Sequence, residues 1–436
     1  MLIEFTVGNY RSFKDPQTWS MAATTLKAQE SRVDENNVIR SDGQPDLLTS
    51  AAIYGANASG KSNLITAFEF MRSAIFSSPR QIERLGSTGA EPFRLSMTTL
   101  DKPSHFQVVA VIKGTRYRYG FEMTPERVVR EWLYSVPTTR EALLFEREGN
   151  TIQSGRHFPE GRQRLIENTR PDALFLGVAA QFNGPIASDV VSWFRRLTTL
   201  GMRSGRYAPW RTPSYGRGTL GLLKDGDEGL RALIRELDLG ISDIQLEEIP
   251  PEEVEDDTPT TLTLERARRL GMPIVRTTHV VYDDDGEPTG EADFDLDFHE
   301  SEGTRRLFAL AGPLLNTLRS GGVLIVDELD ARLHPLMTRA LVARFNDRQA
   351  NPKGAQLIFT TQDTNLLDNA LFRRDQIWFV EKNRQGASQL YSLAEFKVRN
   401  DLSFERGYIQ GRFGAVPYLN PNKLNALLEQ VHGETA

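Results

Sequence analysis

The sequence predicts an α/β protein with a mostly parallel sheet, and three observations carry that prediction. Gly55-Ala56-Asn57-Ala58-Ser59-Gly60-Lys61-Ser62 is a full G-x-x-x-x-G-K-[ST] loop. It lies between a small-residue, β-branched stretch at 49–54 and a segment from Asn63 to Ser77 whose Leu64, Ala67, Phe68, Met71 and Ile75 fall at helical spacing. Much later, Val323-Leu324-Ile325-Val326-Asp327-Glu328 is an unbroken apolar run ending in two acids, as in a strand buried on both faces whose carboxyl end reaches a ligand. A third run, Gln356-Leu357-Ile358-Phe359, opens into Thr360-Thr361-Gln362-Asp363-Thr364-Asn365.

Each element has a chemical reading. Gly55 and Gly60 let the loop turn successive N–H groups inward around a polyphosphate, with Asn57, Ser59 and Asn63 lining the turn, and the following helix presents its positive end to the same anion. Lys61 brings a point charge to the β- and γ-phosphates, and Ser62 places its hydroxyl on a magnesium ion. In a phosphate-loop enzyme the run at 323–328 is the Walker B strand: Asp327 holds the metal and its water, and Glu328 polarises the attacking water. ATP and Mg2+ are therefore the expected ligands.

The bulk properties bound this reading. A chain of 436 residues calls for two lobes or one enlarged domain with an insertion. There is no cysteine, which excludes disulfides and thiolate metal sites and fits a reducing cytoplasm. Met1 to Val7 has an acid in its apolar run and no basic flank, and no apolar stretch reaches membrane-spanning length, so a soluble, unexported protein is expected. A net charge of −6 argues against a generally basic nucleic-acid-coating protein.

Taken in order, Leu2 to Val7 alternates as a strand and leads into Asn9-Tyr10-Arg11-Ser12-Phe13. Residues 106–112 and 116–122 predict a hairpin beside the phosphate-loop strand. We divide the chain into an N-terminal lobe (1–137), a mostly helical insertion (138–290) and a C-terminal lobe (291–436). Within the insertion, Arg195, Arg196, Arg203, Arg206, Arg211 and Arg217 interleave with Trp193, Phe194, Tyr207, Trp210 and Tyr215, with no acid between Val190 and Lys224. Such a stretch either binds nucleic acid or pairs with the acidic run from Glu247 to Asp257. Asp293-Phe294-Asp295-Leu296-Asp297-Phe298 alternates as a strand with an acidic solvated face.

The strand followed by Asn9-Tyr10-Arg11-Ser12-Phe13 resembles the opening of the RecF/SMC-like branch of ABC-class ATPases. The resemblance implies a nucleotide base near this region; on the residues alone, Arg11 and Phe13 either stack on adenine or finish the strand. Glu300-Ser301-Glu302-Gly303-Thr304-Arg305-Arg306, opening a helix to about Leu318, resembles a degenerate ABC signature. That likeness implies that Ser301 and Gly303 close over the γ-phosphate held by a second subunit. Leu329 to Pro335 is similar to the D-loop that follows the catalytic glutamate. Relatives carry histidine at the switch position where this chain has Gln362, whose amide can bond a phosphate or orient water but cannot take a proton, implying slow or differently regulated hydrolysis.

With Arg412-Phe413-Gly414-Ala415-Val416-Pro417 added, the chain resembles the RloA-like ATPases, compact proteins of antiviral abortive-infection modules related to the ATPase half of overcoming-lysogenisation-defect nucleases. The likeness covers roughly residues 1–135 and 290–420. It implies a P-loop NTPase fold of ABC/SMC-head type with an antiparallel N-terminal β layer. It further implies a homodimer or higher homo-oligomer closing around ATP, and a separate toxin or nuclease as effector. Two other readings stay open: a RecF-like DNA-maintenance ATPase, and an ATP-held platform that hydrolyses little. A GTPase is disfavoured, because Asn422-Lys423-Leu424-Asn425 lacks the aspartate of N-K-x-D.

Overall fold

Residue alternation sorts the strands into two main sheets. The computed structural model describes residues 1–77, 88–137, 140–201, 213–237, 240–248, 273–397 and 402–417. Strands β1 (Leu2–Gly8), β2 (Gln17–Ser20), β6 (Ser104–Ile112), β7 (Thr115–Met123), β8 (Val128–Val136), β9 (Ala142–Glu148) and β10 (Thr151–Ser154) form an antiparallel sheet in the order β10-β9-β8-β7-β6-β1-β2. A short pair, β3 (Val38–Ile39) and β4 (Leu47–Leu48), precedes the phosphate-loop strand β5 (Ser50–Tyr54). The second sheet, in the order β11-β15-β16-β5-β17-β18, comprises β5, β11 (Leu197–Leu200), β15 (Val323–Val326), β16 (Gln356–Thr360), β17 (Ile377–Lys382) and β18 (Ser388–Ser392). It is parallel except at β18.

The parallel strands are buried on both faces, as their unbroken apolar runs require. Alternate residues feed two cores. Ala51, Ile53, Val323, Ile325 and Ile358 join β1, β6, β7 and β8 and the helices α2 (Lys61–Ser77), α4 (Phe175–Gln181) and α5 (Pro185–Arg196) in one cluster. Ala52, Tyr54, Leu324, Val326, Leu357 and Phe359 face the other way, onto α8 (Glu302–Ser320) and α9 (Pro335–Phe345). The phosphate-loop helix is thereby clamped between the two sheets. On the far side, Tyr408 of α10 (Phe404–Ile409) and Phe413 stack on Phe379 with ring centroids 5.5 and 5.9 Å away, which gives the C-terminal motif a packing role against β17.

The hairpin β6–β7 does not flank β5. It pairs through β6 with β1 (Phe106 opposite Val7), because both edges of β5 are taken by β16 and β17. Among the described residues of 138–290, expected as one mostly helical insertion, helices are joined by strands that belong to three sheets. Strands β9 and β10 extend the antiparallel sheet, and β11 forms the edge of the parallel one. A third sheet comprises β12 (Ile241–Glu247), β13 (Ile274–Tyr282) and β14 (Pro288–Asp295), packed with α6 (Pro213–Lys224) and α7 (Glu228–Glu236). A four-residue strand such as β11 carries too little alternation to be legible beside the strong helical spacing of α5.

Two side-chain expectations also change. Asp295 faces inward at 1% exposure, its carboxylate 3.1 Å from Arg276, while Phe294 faces outward; the acidic face is therefore not fully solvated. Trp193 and Phe194 are core residues and offer no stacking surface, and Arg195, exposed, lies 5.8 Å over the Phe76 ring. Arg203, Arg206, Tyr207, Trp210 and Arg211, the side chains of Tyr215 and Arg217, residues 249–257 and Asn422 to Asn425 lie outside the described residues. Among the described residues, no helix is long and apolar enough to cross a membrane.

Candidate nucleotide site

The loop leaves β5 at Tyr54 and enters α2 at Lys61, at the carboxyl end of the parallel sheet. Close packing explains both glycines. A Cβ at Gly55 would stand 2.3 Å from the Val380 carbonyl oxygen; one at Gly60, where φ is +120°, would stand 2.2 Å from Ser388 Oγ and 2.8 Å from Ser12 Oγ. One flank of the loop is gripped by hydroxyls. Ser388 Oγ donates to the Ser59 carbonyl (2.6 Å), the Ser388 N–H to the Ser12 carbonyl (2.7 Å), and Asn63 Nδ2 to Ser12 Oγ (2.8 Å).

Lys61 Nζ donates to the carbonyls of Gly55 (2.6 Å) and Ala56 (3.1 Å). Burial holds its ammonium below the ordinary lysine value, against the upward pull of the Glu328, Asp327 and Asp330 carboxylates. The other flank meets the switch segment: Gln362 Nε2 donates to Asn57 Oδ1 (2.8 Å), and the Gln362 N–H to Asp330 Oδ2 (3.2 Å). Residues 57, 330 and 362, far apart in sequence, thus converge on one edge of the loop.

At the end of β15, Asp327 is buried at 4% exposure and its Oδ1 accepts the Thr360 hydroxyl at 2.6 Å. Glu328 takes a left-handed backbone, φ +52°, rare for a residue with a side chain. Its N–H donates to the same Thr360 Oγ1 (2.7 Å), and Arg306 Nη2 reaches the Asp327 and Glu328 carbonyls at 3.3 and 3.2 Å. The two acids are therefore held in place from β16 and from α8.

Ser301 is the N-cap of α8, its Oγ accepting the Thr304 N–H at 3.1 Å, and it is exposed. A Cβ at Gly303 would come 2.8 Å from the Arg332 carbonyl oxygen, and Glu302 pairs with Arg332 at 2.6 Å, so the signature-like turn rests on the D-loop-like segment. Phe13 is in the core at 0% exposure, packed in the cluster with β1 and α2, so its ring has no open face to offer a base. Arg11 lies beside Ser12 with φ +49°; its Nη2 pairs with Glu91 at 3.1 Å, and its Nε and Nη1 have no protein partner.

The residues present fit a magnesium-bound nucleotide. Ser59 Oγ is buried without a partner inside the glycine cradle, and Ser62 and Asp327 offer hydroxyl and carboxylate oxygens, the donors a hard divalent cation prefers. Sequence reasoning missed Ser12, Ser388 and Thr360. Ser388 lies more than three hundred residues from the loop it grips and carries no local signal, and Thr360 gains its partners only from the adjacency of β16 to the Walker B strand, which the sequence does not display.

Among solved structures, one described as "Crystal structure of the SmcHead bound to the C-winged helix domain of ScpA" is similar with a TM-score of 0.43 at 14% identity, covering 94% of this chain and 99% of that one. No curated protein matches the chain significantly. Residues 50–368 match the family described as "AAA domain, putative AbiEii toxin, Type IV TA system". That span is well over half of the chain and takes in the phosphate loop, Asp327, Glu328 and Gln362, and the protein belongs to this AAA-domain family.

Proposed function

We propose that the protein binds and hydrolyses ATP, dimerises around it, and in the cytoplasm controls a separate effector, a toxin or nuclease, in antiviral defence. One observation carries the ATPase reading: the phosphate loop, the Asp327–Glu328 turn and Gln362 meet at the carboxyl end of one parallel sheet. The toxin–antitoxin context in the family's description supports the effector.

The two flanks of the loop orient the nucleotide. Gln362 and Asp330 meet at one side of the loop, where a γ-phosphate would be held, and Asn63 and Ser12 meet at the other, where the nucleoside would leave. Lys61 and the first N–H groups of α2 hold the β- and γ-phosphates. Magnesium, held by Ser62 and Asp327, supplies charge neutralisation at those phosphates when bound. Glu328 would accept a hydrogen bond from the attacking water and take its proton as the water oxygen bonds to the γ-phosphorus and the bond to the β–γ bridging oxygen breaks, releasing ADP and phosphate, assistance of the order of 10²–10⁴ in rate. Gln362 orients the water or the γ-phosphate through its amide and moves no proton. Ser301 and Gly303 of a second copy close the site, a role supported by the exposed helix N-terminus at Ser301.

The test is the solution mass of Glu328→Gln with and without ATP and magnesium, beside the turnover of the wild type. Doubling with ATP, together with lost turnover, is the expected result. A nucleotide-independent assembly would make ATP the tuner of a preformed scaffold. A monomer under both conditions would remove the roles of Ser301 and Gly303 in trans, and wild-type turnover in the variant would remove that of Glu328.

A further inference from the structure

We infer that Thr360 is the positioning residue of the hydrolytic site, setting the metal-facing side of Asp327 and the placement of Glu328 through one hydroxyl. Thr360 ends β16, the strand lying between the Walker B strand β15 and the phosphate-loop strand β5, and is fully buried. Its Oγ1 donates to Asp327 Oδ1 (2.6 Å) and accepts the Glu328 N–H (2.7 Å), while its carbonyl accepts the Leu329 N–H (3.0 Å). One residue therefore grips three consecutive positions of the catalytic turn.

The chemistry of the grip demands a hydroxyl. A carboxylate can only accept and an amide N–H can only donate, so a single atom between them must do both. The hydroxyl's one proton goes to Asp327, which ties down Oδ1 and leaves Oδ2 as the oxygen that would serve a bound magnesium ion and its water. Its lone pair goes to the N–H of a residue whose backbone is left-handed, a conformation that persists only where its surroundings over-determine it. The neighbouring Thr361 does different work: its Oγ1 accepts the Asp363 N–H at 3.0 Å and shapes the switch turn.

This inference rests on the ATP–magnesium reading, and its test separates the two. Binding of a fluorescent, non-hydrolysable ATP analogue is measured in EDTA and across a magnesium titration, alongside ATP turnover, for wild type, Thr360→Val and Thr360→Ser. Thr360→Val keeps the shape and loses the hydroxyl: its affinity in EDTA stays near wild type, while its magnesium dependence and kcat each fall about 10–100-fold, the usual loss for a residue supporting a metal ligand. Thr360→Ser restores both. A valine variant that titrates magnesium and turns over like wild type overturns the inference. So does one whose EDTA affinity falls in parallel, which would make the role merely structural, and so does a serine variant that restores nothing. Should the valine variant not fold, Thr360→Cys takes its place, its weak S–H donor predicting the same loss. A wild type that binds the analogue without hydrolysing ATP removes the hydrolytic reading alone, and the magnesium titration still decides Thr360.

Discussion

Replacing Gly60 by alanine tests whether the grip of Ser12 and Ser388 on the phosphate loop prepares it for nucleotide. The new Cβ would stand 2.2 Å from Ser388 Oγ and 2.8 Å from Ser12 Oγ, on a backbone at φ +120° that side chains rarely adopt. The backbone strain costs about 1–3 kcal/mol. Relieving the overlap moves Ser388 off the Ser59 carbonyl it bonds at 2.6 Å, and a buried acceptor left unpaired costs about 1–3 kcal/mol more. The total, about 2–6 kcal/mol, corresponds to about 30-fold to 10⁴-fold in an equilibrium constant. It divides between two observables. If the loop relaxes outward, the unbound protein keeps its stability and the cost appears in ATP affinity, because binding must re-form the loop; if the loop cannot relax, the cost appears as lost stability in urea. Both are measured, and their sum is the prediction. The partner test is Ser388→Gly, alone and combined with Gly60→Ala: removing the Ser388 side chain relieves the closest overlap, so the two substitutions couple and the double variant loses less than the two single losses added. A Gly60→Ala protein with unchanged affinity and stability, or a double variant that is simply additive, would refute the argument.

Three further outcomes follow from the same geometry. Phe13→Ala should lose about 3–5 kcal/mol of stability by urea unfolding, as for a core phenylalanine, with the ATP affinity of the folded fraction unchanged; selective loss of ATP affinity would restore the ring to the base site. Asp227 caps α7 and pairs with Arg319, and the Arg319 hydrogen bond, with that from the Leu230 N–H, holds its carboxyl at about 2 instead of 3.8. Its pKa is depressed on folding, so its contribution is full above about pH 4 and lost as pH falls toward 2. Asp227→Asn, which keeps the cap, should therefore be less stable than wild type by up to about 1 kcal/mol near neutrality and equal to it near pH 2, since the arginine partner is largely exposed; a gap that persists at low pH would contradict this. Gly303→Ala drives a Cβ to 2.8 Å from the Arg332 carbonyl oxygen and should shift the signature-like turn, impairing ATP-driven assembly while the chain's own ATP affinity in dilute solution stays unchanged; assembly at the wild-type ATP dependence would count against that turn's role.

The amino-acid sequence makes legible the chemistry that is written in contiguous residues. The loop at 55–62 and the acid pair at 327–328 declare themselves because the chemistry fixes both spacing and residue type, and the strands feeding them declare themselves because a strand covered on both faces has no polar side to show. Where the fold departs from expectation, tertiary packing decides. Phe13 and Trp193 have the look of ligand-facing aromatics, and nothing local distinguishes a ring that meets a base from one that meets the back of a sheet. Strand β11 is four residues long, and only its pairing with β15 makes it part of the nucleotide-binding sheet.

The residues that hold the site in shape are hidden for a different reason. Ser388 and Thr360 stand at the ends of two strands and Ser12 in the turn after β1, and the hydroxyl of each bonds a group belonging to another segment: the Ser59 carbonyl, the Asp327 carboxylate and the Asn63 amide respectively. Serine and threonine at strand ends are common, and their partners are set by which strands lie side by side. The order β15-β16-β5 puts Thr360 between the two halves of the site; had β16 not paired with β15, the same Thr-Thr-Gln sequence would have had neither Asp327 nor Glu328 within reach. Gln362 depends on the same order. It arrives two residues beyond Thr360 on the strand that adjoins β5, and so meets Asn57 of the loop that β5 feeds. The candidate catalytic groups are thus specified by sequence and their alignment by topology, which is why substituting the Thr360 hydroxyl should disturb turnover and magnesium dependence while leaving the phosphate loop able to bind.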